Sequence, residues 1–172
     1  MKQIKLLHKN IFAKVDDADY KWLNGFTWYY FPYKRTSYAK TFINGICISM
    51  QNLILKPPTD DLNADHVDGD GLNNQRSNLR LATLQQQRQN KSKHLGATSK
   101  YKGVSYSEER DKWVAQICID GKQVCLGRFN SEQTAARVWN TAAKKHFGEF
   151  AKLNAIEQGK SEVQNGANYH IR

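Results

Sequence analysis

Cysteine is scarce in this sequence: three in 172 residues, Cys47, Cys118 and Cys125, with no Cys-x-x-Cys pair among them. An odd, widely spaced set speaks against a disulfide framework and against a structural zinc site, so they read as plain buried or surface thiols. Acidic residues are also short, 16 against 26 Lys and Arg, which leaves a net charge of +10 and a pI near 9.5. That balance selects a polyanionic partner, nucleic acid ahead of an acidic membrane surface. No apolar run approaches the roughly 20 residues of a transmembrane helix. The opening stretch, MKQIKLLHKNIFAKVDD, lacks the apolar centre of a signal peptide, so no membrane association is expected and the chain reads as intracellular.

What is present is enough for packed cores: 40% hydrophobic residues, 11% of the chain aromatic. The basic excess is spread, with 14 Lys and Arg against 8 Asp and Glu in residues 1–95 and 10 against 6 in 96–155. Two folding segments, each able to meet phosphate, follow from that distribution. Small, polar and basic residues in NKSKHLGATSKYKG mark the boundary. The expected division is a first domain over 1–93, a linker over 94–100, a second domain over 101–155 and a flexible tail over 156–172.

The first segment reads as short strands, FAKVDD, FTWYYF, SYAKTFI and ICISMQNLIL, with turn signals at Asn24-Gly25 and Asn44-Gly45. One short helix, capped by Asp17 or Asp19, fits DADYKWLNGF. Trp22, Trp28, Tyr29, Tyr30 and Phe31 are expected mainly to fill a small core.

ADHVDGDGLNNQRSNLRLAT, Ala64 to Thr83, is the most informative stretch. A calcium loop of the EF-hand kind fails, because Val67 or Leu72 and Leu79 fall where ligands are needed. A hydrolytic site fits. Phosphodiester cleavage needs a base for the attacking water and positive charge on the phosphate and leaving oxygen. Asp65 is a hard oxygen donor suited to Mg²⁺ or Mn²⁺, and His66 is the side chain able to act as a neutral base near pH 7. Adjacent side chains of a strand point to opposite faces, so the pair needs a bend, which Gly69 and Gly71 can supply. The loop closes at Ser77-Asn78, Leu79 to Ala82 return as a strand, and Thr83 with Gln86 forms a capping box for a helix from Leu84 to about Lys93.

DHVDGDGLNNQRSNLRLAT resembles the HNH, or ββα-metal, nuclease motif of phage and mobile-element homing endonucleases, and the likeness extends over residues 10–93. The resemblance implies Asp65 as a metal ligand, His66 as general base and Asn78 as the residue that orients the histidine loop. The family's second metal ligand, Asn or His, falls on Gln87, whose extra methylene moves its carbonyl by about 1.5 Å, one covalent bond length. Asn90, nearly one helical turn later, is the alternative. Met50-Gln51-Asn52 stands where the family often has Met-His-Arg.

In the second segment WVAQICI alternates, Asp120-Gly121 signals a two-residue hairpin, and KQVCLGRF returns. That turn pairs Ile119 with Lys122, Ile117 with Val124 and Ala115 with Leu126 on a core face, and Cys118 with Gln123 and Gln116 with Cys125 on the other. KGVSYSEE supplies a third strand, and Ser131 caps a helix that Gly148 stops. Tyr-Lys-Gly-Val, Trp-Val-Ala-Gln-Ile, Leu-Gly-x-Phe, the Ala-Ala helix and Ala-Lys-Leu-Asn closely resemble the APETALA2-type (ethylene-response-factor) DNA-binding domain over residues 99–155. The family's DNA-facing positions fall on Lys102, Ser105, Gln116, Cys118, Gln123 and Cys125, while Trp113, Ile117, Val124, Leu126 and Trp139 read as core.

The expectation is an α+β chain: an N-terminal ββα-metal HNH module and a C-terminal three-stranded antiparallel sheet packed on one helix. It would be a site-directed homing-type endonuclease that nicks double-stranded DNA with one divalent metal, Mg or Mn, and needs no obligate protein partner. If phage- or mobile-element-encoded, it would work in a bacterial cytoplasm. The alternative is a disabled HNH protein that only binds DNA.

Overall fold

The computed structural model describes residues 1–33, 36–91 and 98–156. They form two units, 1–91 with 144–152 and 98–143 with 153–156. Residues 94–97 of the expected linker and 157–172 of the expected tail lie outside the described residues. No described helix is long and apolar enough to cross a membrane.

The first unit opens with an antiparallel hairpin, β1 (Lys2–Lys5) and β2 (Phe12–Val15), then helix α1 (Asp17–Leu23). A three-stranded antiparallel sheet follows, β3 (Tyr29–Tyr33), β4 (Thr36–Ile43) and β5 (Ile46–Ser49). Asn44 and Gly45 both take positive φ between β4 and β5, as a tight hairpin requires. Helix α2 (Met50–Leu55) leads to the antiparallel pair β6 (Leu62–His66) and β7 (Leu79–Thr83), and helix α3 (Leu84–Asn90) closes the unit. Leu6, Val15, Leu23, Trp28, Ala39 and Met50 pack into one core, each at most 1% exposed.

Two local expectations need correction. ICISMQNLIL is not one strand: it turns helical at Met50, because Met50 and Ile54, four residues apart, both bury on one helical face. Helix α1 is preceded by Asp16 rather than capped by Asp17 or Asp19, and the Asp16 side chain makes no cap bond; its carboxylate accepts from Arg76 N (2.8 Å) and Gln75 Nε2 (3.3 Å) instead. The aromatic cluster is divided: Trp28 is core, its Nε1 donating to Leu23 O at 2.8 Å, while Trp22 and Tyr29 stay partly exposed.

The second unit holds β8 (Val104–Ser107), β9 (Lys112–Ile119) and β10 (Lys122–Phe129) in one antiparallel sheet with β9 central, and helix α4 (Glu132–Phe147) as far as residue 143. Ala135 and Ala136 of α4 pack with Tyr101, Val104 and Ala115. Small residues on this helix face let it approach the sheet closely. Ser131 Oγ accepts from Thr134 N at 3.4 Å, and Gly148 takes φ +53° where the helix ends. The hairpin pairs as expected from its tip through Gln116 and Cys125, then departs: Ala115 faces Gly127, not Leu126. A β-bulge at Leu126 inserts one residue, and Gly127 adopts φ +141°, a conformation that L side chains rarely take. Beyond it Arg128 faces Val114 and Phe129 faces Trp113. Val124, expected in the core, is 39% exposed near the hairpin tip.

The described chain is thus a mixed α and β protein of small antiparallel sheets with few helices. Gly103 (φ +71°) shows how tightly the second unit is built: a Cβ there would lie 1.9 Å from Trp139 Nε1 and 2.7 Å from Gln116 O. Gly121 has a similar φ, +79°, with nothing within 4 Å. Gly121→Ala should cost about 1–2 kcal/mol, the backbone penalty alone, while Gly103→Ala should cost at least 1–3 kcal/mol more, roughly the price of overpacking. Urea unfolding of both variants checks the difference.

Candidate functional sites

Strand pairing assembles the first site. In the β6–β7 register Asp65 faces Arg80 and His66 faces Leu79. Ala64 and His66 are buried while Asp65 between them points to the opposite side, as alternation along a strand requires. Asp65 Oδ2 accepts from Arg80 Nε (3.2 Å), Arg80 Nη2 (3.1 Å) and Asn90 Nδ2 (3.0 Å). Burial pushes the Asp65 carboxyl up, and the bonds from Arg80 and Asn90 pull against it.

His66, at the end of β6, is 5% exposed, yet its neighbours are polar. Its Nε2 meets Asn74 Oδ1 at 3.2 Å, and the Tyr38 ring lies 6.0 Å away, centroid to centroid. Burial holds the imidazole below its ordinary pKa, with Asn74 and the carboxylates of Asp68, Asp65 and Asp70 opposing. The neutral form is therefore favoured at pH 7. The His66 carbonyl accepts from Asn90 Nδ2 (2.8 Å) and Gly69 N (3.0 Å), so one amide of α3 ties both members of the pair.

Between His66 and Leu79 the ladder runs one step further, Val67 N donating to Asn78 O at 2.9 Å, and beyond that side chains help to hold the loop. Asn78 Oδ1 accepts from Asp68 N (3.1 Å), while its Nδ2 donates to Asp68 Oδ1 (2.9 Å) and Asn73 O (2.8 Å). Asp68 Oδ2 accepts from Asn73 Nδ2, and Asp70 Oδ1 from Leu72 N. The acids that mimic a calcium loop are thus spent on the loop itself. Gly71 lies against β4, where a Cβ would sit 2.4 Å from Ser37 O, and its N donates to Thr36 Oγ1 at 2.8 Å. Asn74 N donates to Lys14 O and Lys14 N to Leu72 O, both at 2.8 Å, which staples the loop to β2.

Of the residues singled out from sequence, Asp65, His66 and Asn78 are gathered around this loop. Gln87 is half-buried in α3 and makes no hydrogen bond to Asp65; Asn90 is the α3 side chain that does. The Thr83–Gln86 capping box is present and starts α3, which ends at Asn90 rather than Lys93. Among the described residues no three His, Cys, Asp or Glu side chains come together as a metal cage. Sequence reasoning missed Asn74 and Arg80. Arg80 was within reach, since the strand register sets a basic residue directly opposite Asp65. Asn74 was not, because it sits in a run that reads as turn and its anchor, Lys14, is sixty residues upstream.

In the second unit, the face of the sheet away from Ala115 and Ile117 carries Ser105 and Arg128 either side of Val114, then Gln116 beside Cys125 and Cys118 beside Gln123. Gln123 Nε2 donates to Gln116 Oε1 at 2.8 Å across the strands. Cys118 and Cys125 are exposed. Lys102 stands apart from this row: it precedes β8, and its Nζ lies over the Trp139 ring, 5.3 Å from the centroid. Arg128, absent from the sequence expectation, is on this face because of the bulge.

Comparison with known proteins agrees with this two-part build. The chain is 39% identical over 97 residues (56% of its length) to an uncharacterized HNH endonuclease of Acanthamoeba polyphaga mimivirus and spans 49% of that protein. It is 37% identical over 59 residues to an APETALA2-like ethylene-responsive transcription factor of Arabidopsis thaliana, covering 34% of this chain and 12% of the plant protein. No family model and no solved structure matches. The chain joins an HNH-type segment to an APETALA2-type one. It belongs to the family of Protein 3.8 of Escherichia phage T7, to which it is 34% identical over 89 residues, 52% of this chain and 73% of the phage protein.

The loop is also clamped from α1. Asp19, whose side chain is 4% exposed, receives Arg76 Nε and Nη2 at 2.8 Å each and Trp22 Nε1 at 3.1 Å. The bonds from Arg76 hold its carboxyl below the ordinary range, with burial opposing. As pH falls the unfolded chain therefore takes up this proton first. The clamp stabilises fully above about pH 4, the unfolded Asp value, and its contribution disappears as pH drops through the lower folded value. Arg76→Met should flatten this acid limb, read as urea midpoint against pH.

Proposed function

We propose that the chain is a DNA endonuclease of homing type that nicks duplex DNA at the first site, with the second unit choosing the locus. The observation that carries this reading is His66: a buried imidazole held by a buried amide, one residue from a carboxylate. Asp65 Oδ2 is engaged by Arg80 and Asn90, but Oδ1 makes no hydrogen bond among the described residues. One open carboxylate oxygen with amide oxygens on α3 is a sparse, hard donor set, which suits a Mg²⁺ or Mn²⁺ ion that keeps waters and substrate phosphate in its shell. Asp65 would hold that ion, with the carbonyl of Gln87 or Asn90 completing its shell. When bound, it would neutralise charge on the phosphodiester and its leaving oxygen. Arg80 and Asn90 orient Asp65, Asn78 holds the loop, and His66 takes the proton of the attacking water. One such site cuts one strand at a time. The relative from phage T7 favours a bacterial cytoplasm as the setting.

The competing reading is a disabled nuclease that only binds DNA. It is favoured by the guanidinium of Arg80 on Asp65 and by Gln87 making no bond to that carboxylate. Nicking of supercoiled DNA with Mg²⁺ or Mn²⁺ separates the two. Under the proposal the chain nicks, and His66→Ala lowers the rate by about 10²–10⁴, the usual worth of a general base. A silent native chain that gains nicking with Gln87→Asn decides for the competitor.

The outer face of the β8–β9–β10 sheet is the proposed groove-reading surface, since sheet readers enter the major groove with such a face. Tethering it to the nuclease raises the effective concentration of the cutting site at one locus. Arg128 is exposed there, and its guanidinium makes no hydrogen bond or ion pair among the described residues. As a phosphate contact it gives a specific expectation: Arg128→Gln should weaken binding evenly across sequences and lower the slope of log K against log salt by about 0.9. A gel-shift salt titration reads both.

A further inference from the structure

Asn74 carries a feature that packing does not explain. Its side chain is fully buried, yet among the described residues Nδ2 has no hydrogen-bond partner, while Oδ1 lies 3.2 Å from His66 Nε2. Leaving a buried donor unpaired is costly, and an apolar residue would avoid the cost. The amide is also held rigidly: Asn74 N donates to Lys14 O, Asn73 bridges Lys14, and Lys14 N donates to Leu72 O. A carbonyl oxygen can only accept, so the ring nitrogen facing it must carry the hydrogen.

Resting on the nuclease reading above, we propose that Asn74 is a positioning residue that locks His66 in the Nε2–H tautomer and so makes Nδ1 the nitrogen that accepts the proton of the attacking water. The geometry assigns the two nitrogens different duties. Nε2 faces the Asn74 amide, which has no exposed surface. Nδ1 keeps its lone pair, the requirement for a base. In the step itself the proton passes from water to Nδ1 as the water oxygen bonds to phosphorus, and the ring becomes an imidazolium still donating Nε2–H to Asn74. The N-terminal hairpin thereby acts on the site: β2 holds Asn74, and Asn74 holds the ring.

The test is ¹⁵N-histidine NMR on the full-length, metal-free protein at a pH where the imidazole is neutral, with His66 identified by its loss in His66→Gln. The expected wild-type spectrum has one His66 tautomer with a protected Nε2–H proton. Asn74→Leu should lose that protection and admit Nδ1–H, and its nicking kcat should fall tenfold or more at unchanged KM. Asn74→Asp, which keeps an acceptor, should retain the tautomer. An Nδ1–H wild-type ring, or a tautomer indifferent to Asn74→Leu, overturns the proposal. If Asn74→Leu does not fold, the wild-type and Asn74→Asp spectra decide it. A silent wild-type chain with an Nε2–H ring defeats the nuclease reading but leaves the tautomer assignment intact; a nicking chain with an Nδ1–H ring defeats the role of Asn74 alone.

Discussion

The hydrogen bonding of the loop between His66 and Leu79 is the constraint on which the first unit turns. Twelve residues leave one strand and return to its neighbour without backbone pairing to each other for most of that path. Backbone polar groups need partners, and here the side chains of Asn78, Asp68 and Asp70 supply several of them. A loop held by short polar side chains is stiffer than one held by apolar contact, because each bond fixes a direction as well as a distance. That stiffness is what lets an imidazole stand at a strand end with a defined orientation.

The loop does not stand on its own bonds alone. It is anchored on three sides within the unit: to β2 through Lys14, to β4 through Thr36, and to α1 through Asp16 and Asp19. Those anchors come from the first 36 residues of the chain, which look in sequence like a plain scaffold. Their role is to bring polar groups to a segment that cannot satisfy itself. Helix α3 does the same from the far side, where the single amide of Asn90 reaches both the Asp65 carboxylate and the His66 carbonyl. The candidate site is thus a meeting of six elements, β2, β4, α1, α3, β6 and β7, and one of them, β6, bears both the acid and the imidazole.

Local signals in the sequence were reliable where the physics is local. The Asp120-Gly121 and Asn44-Gly45 turns, the Thr83–Gln86 box and the Ser131 cap each depend on neighbours within a few residues, and each forms. The motif around Asp65 and His66 was legible for the same reason. What escaped was decided at a distance. The ICISMQNLIL run is mostly apolar, broken only by Ser49, Gln51 and Asn52, so its change from strand to helix at Met50 depends on which side chains the core accepts. Asp16 was not recognised as a partner of Arg76 because sixty residues separate them. Asn90 overtook Gln87 as the neighbour of Asp65 because the reach of an amide off α3 depends on where that helix starts and how it leans on β6, which spacing alone leaves open.

The bulge at Leu126 has a consequence for how this unit can change over time. With an unbroken ladder, Arg128 would have paired with Trp113 and pointed among apolar side chains; the extra residue rotates it to the outside. Straightening β10 at unchanged length would therefore invert the surroundings of an arginine and a phenylalanine at once. Removing the one extra residue would not, because Gly127 would still face Ala115 and Arg128 would stay opposite Val114. The strand should absorb the loss of its bulged residue more easily than the insertion of another.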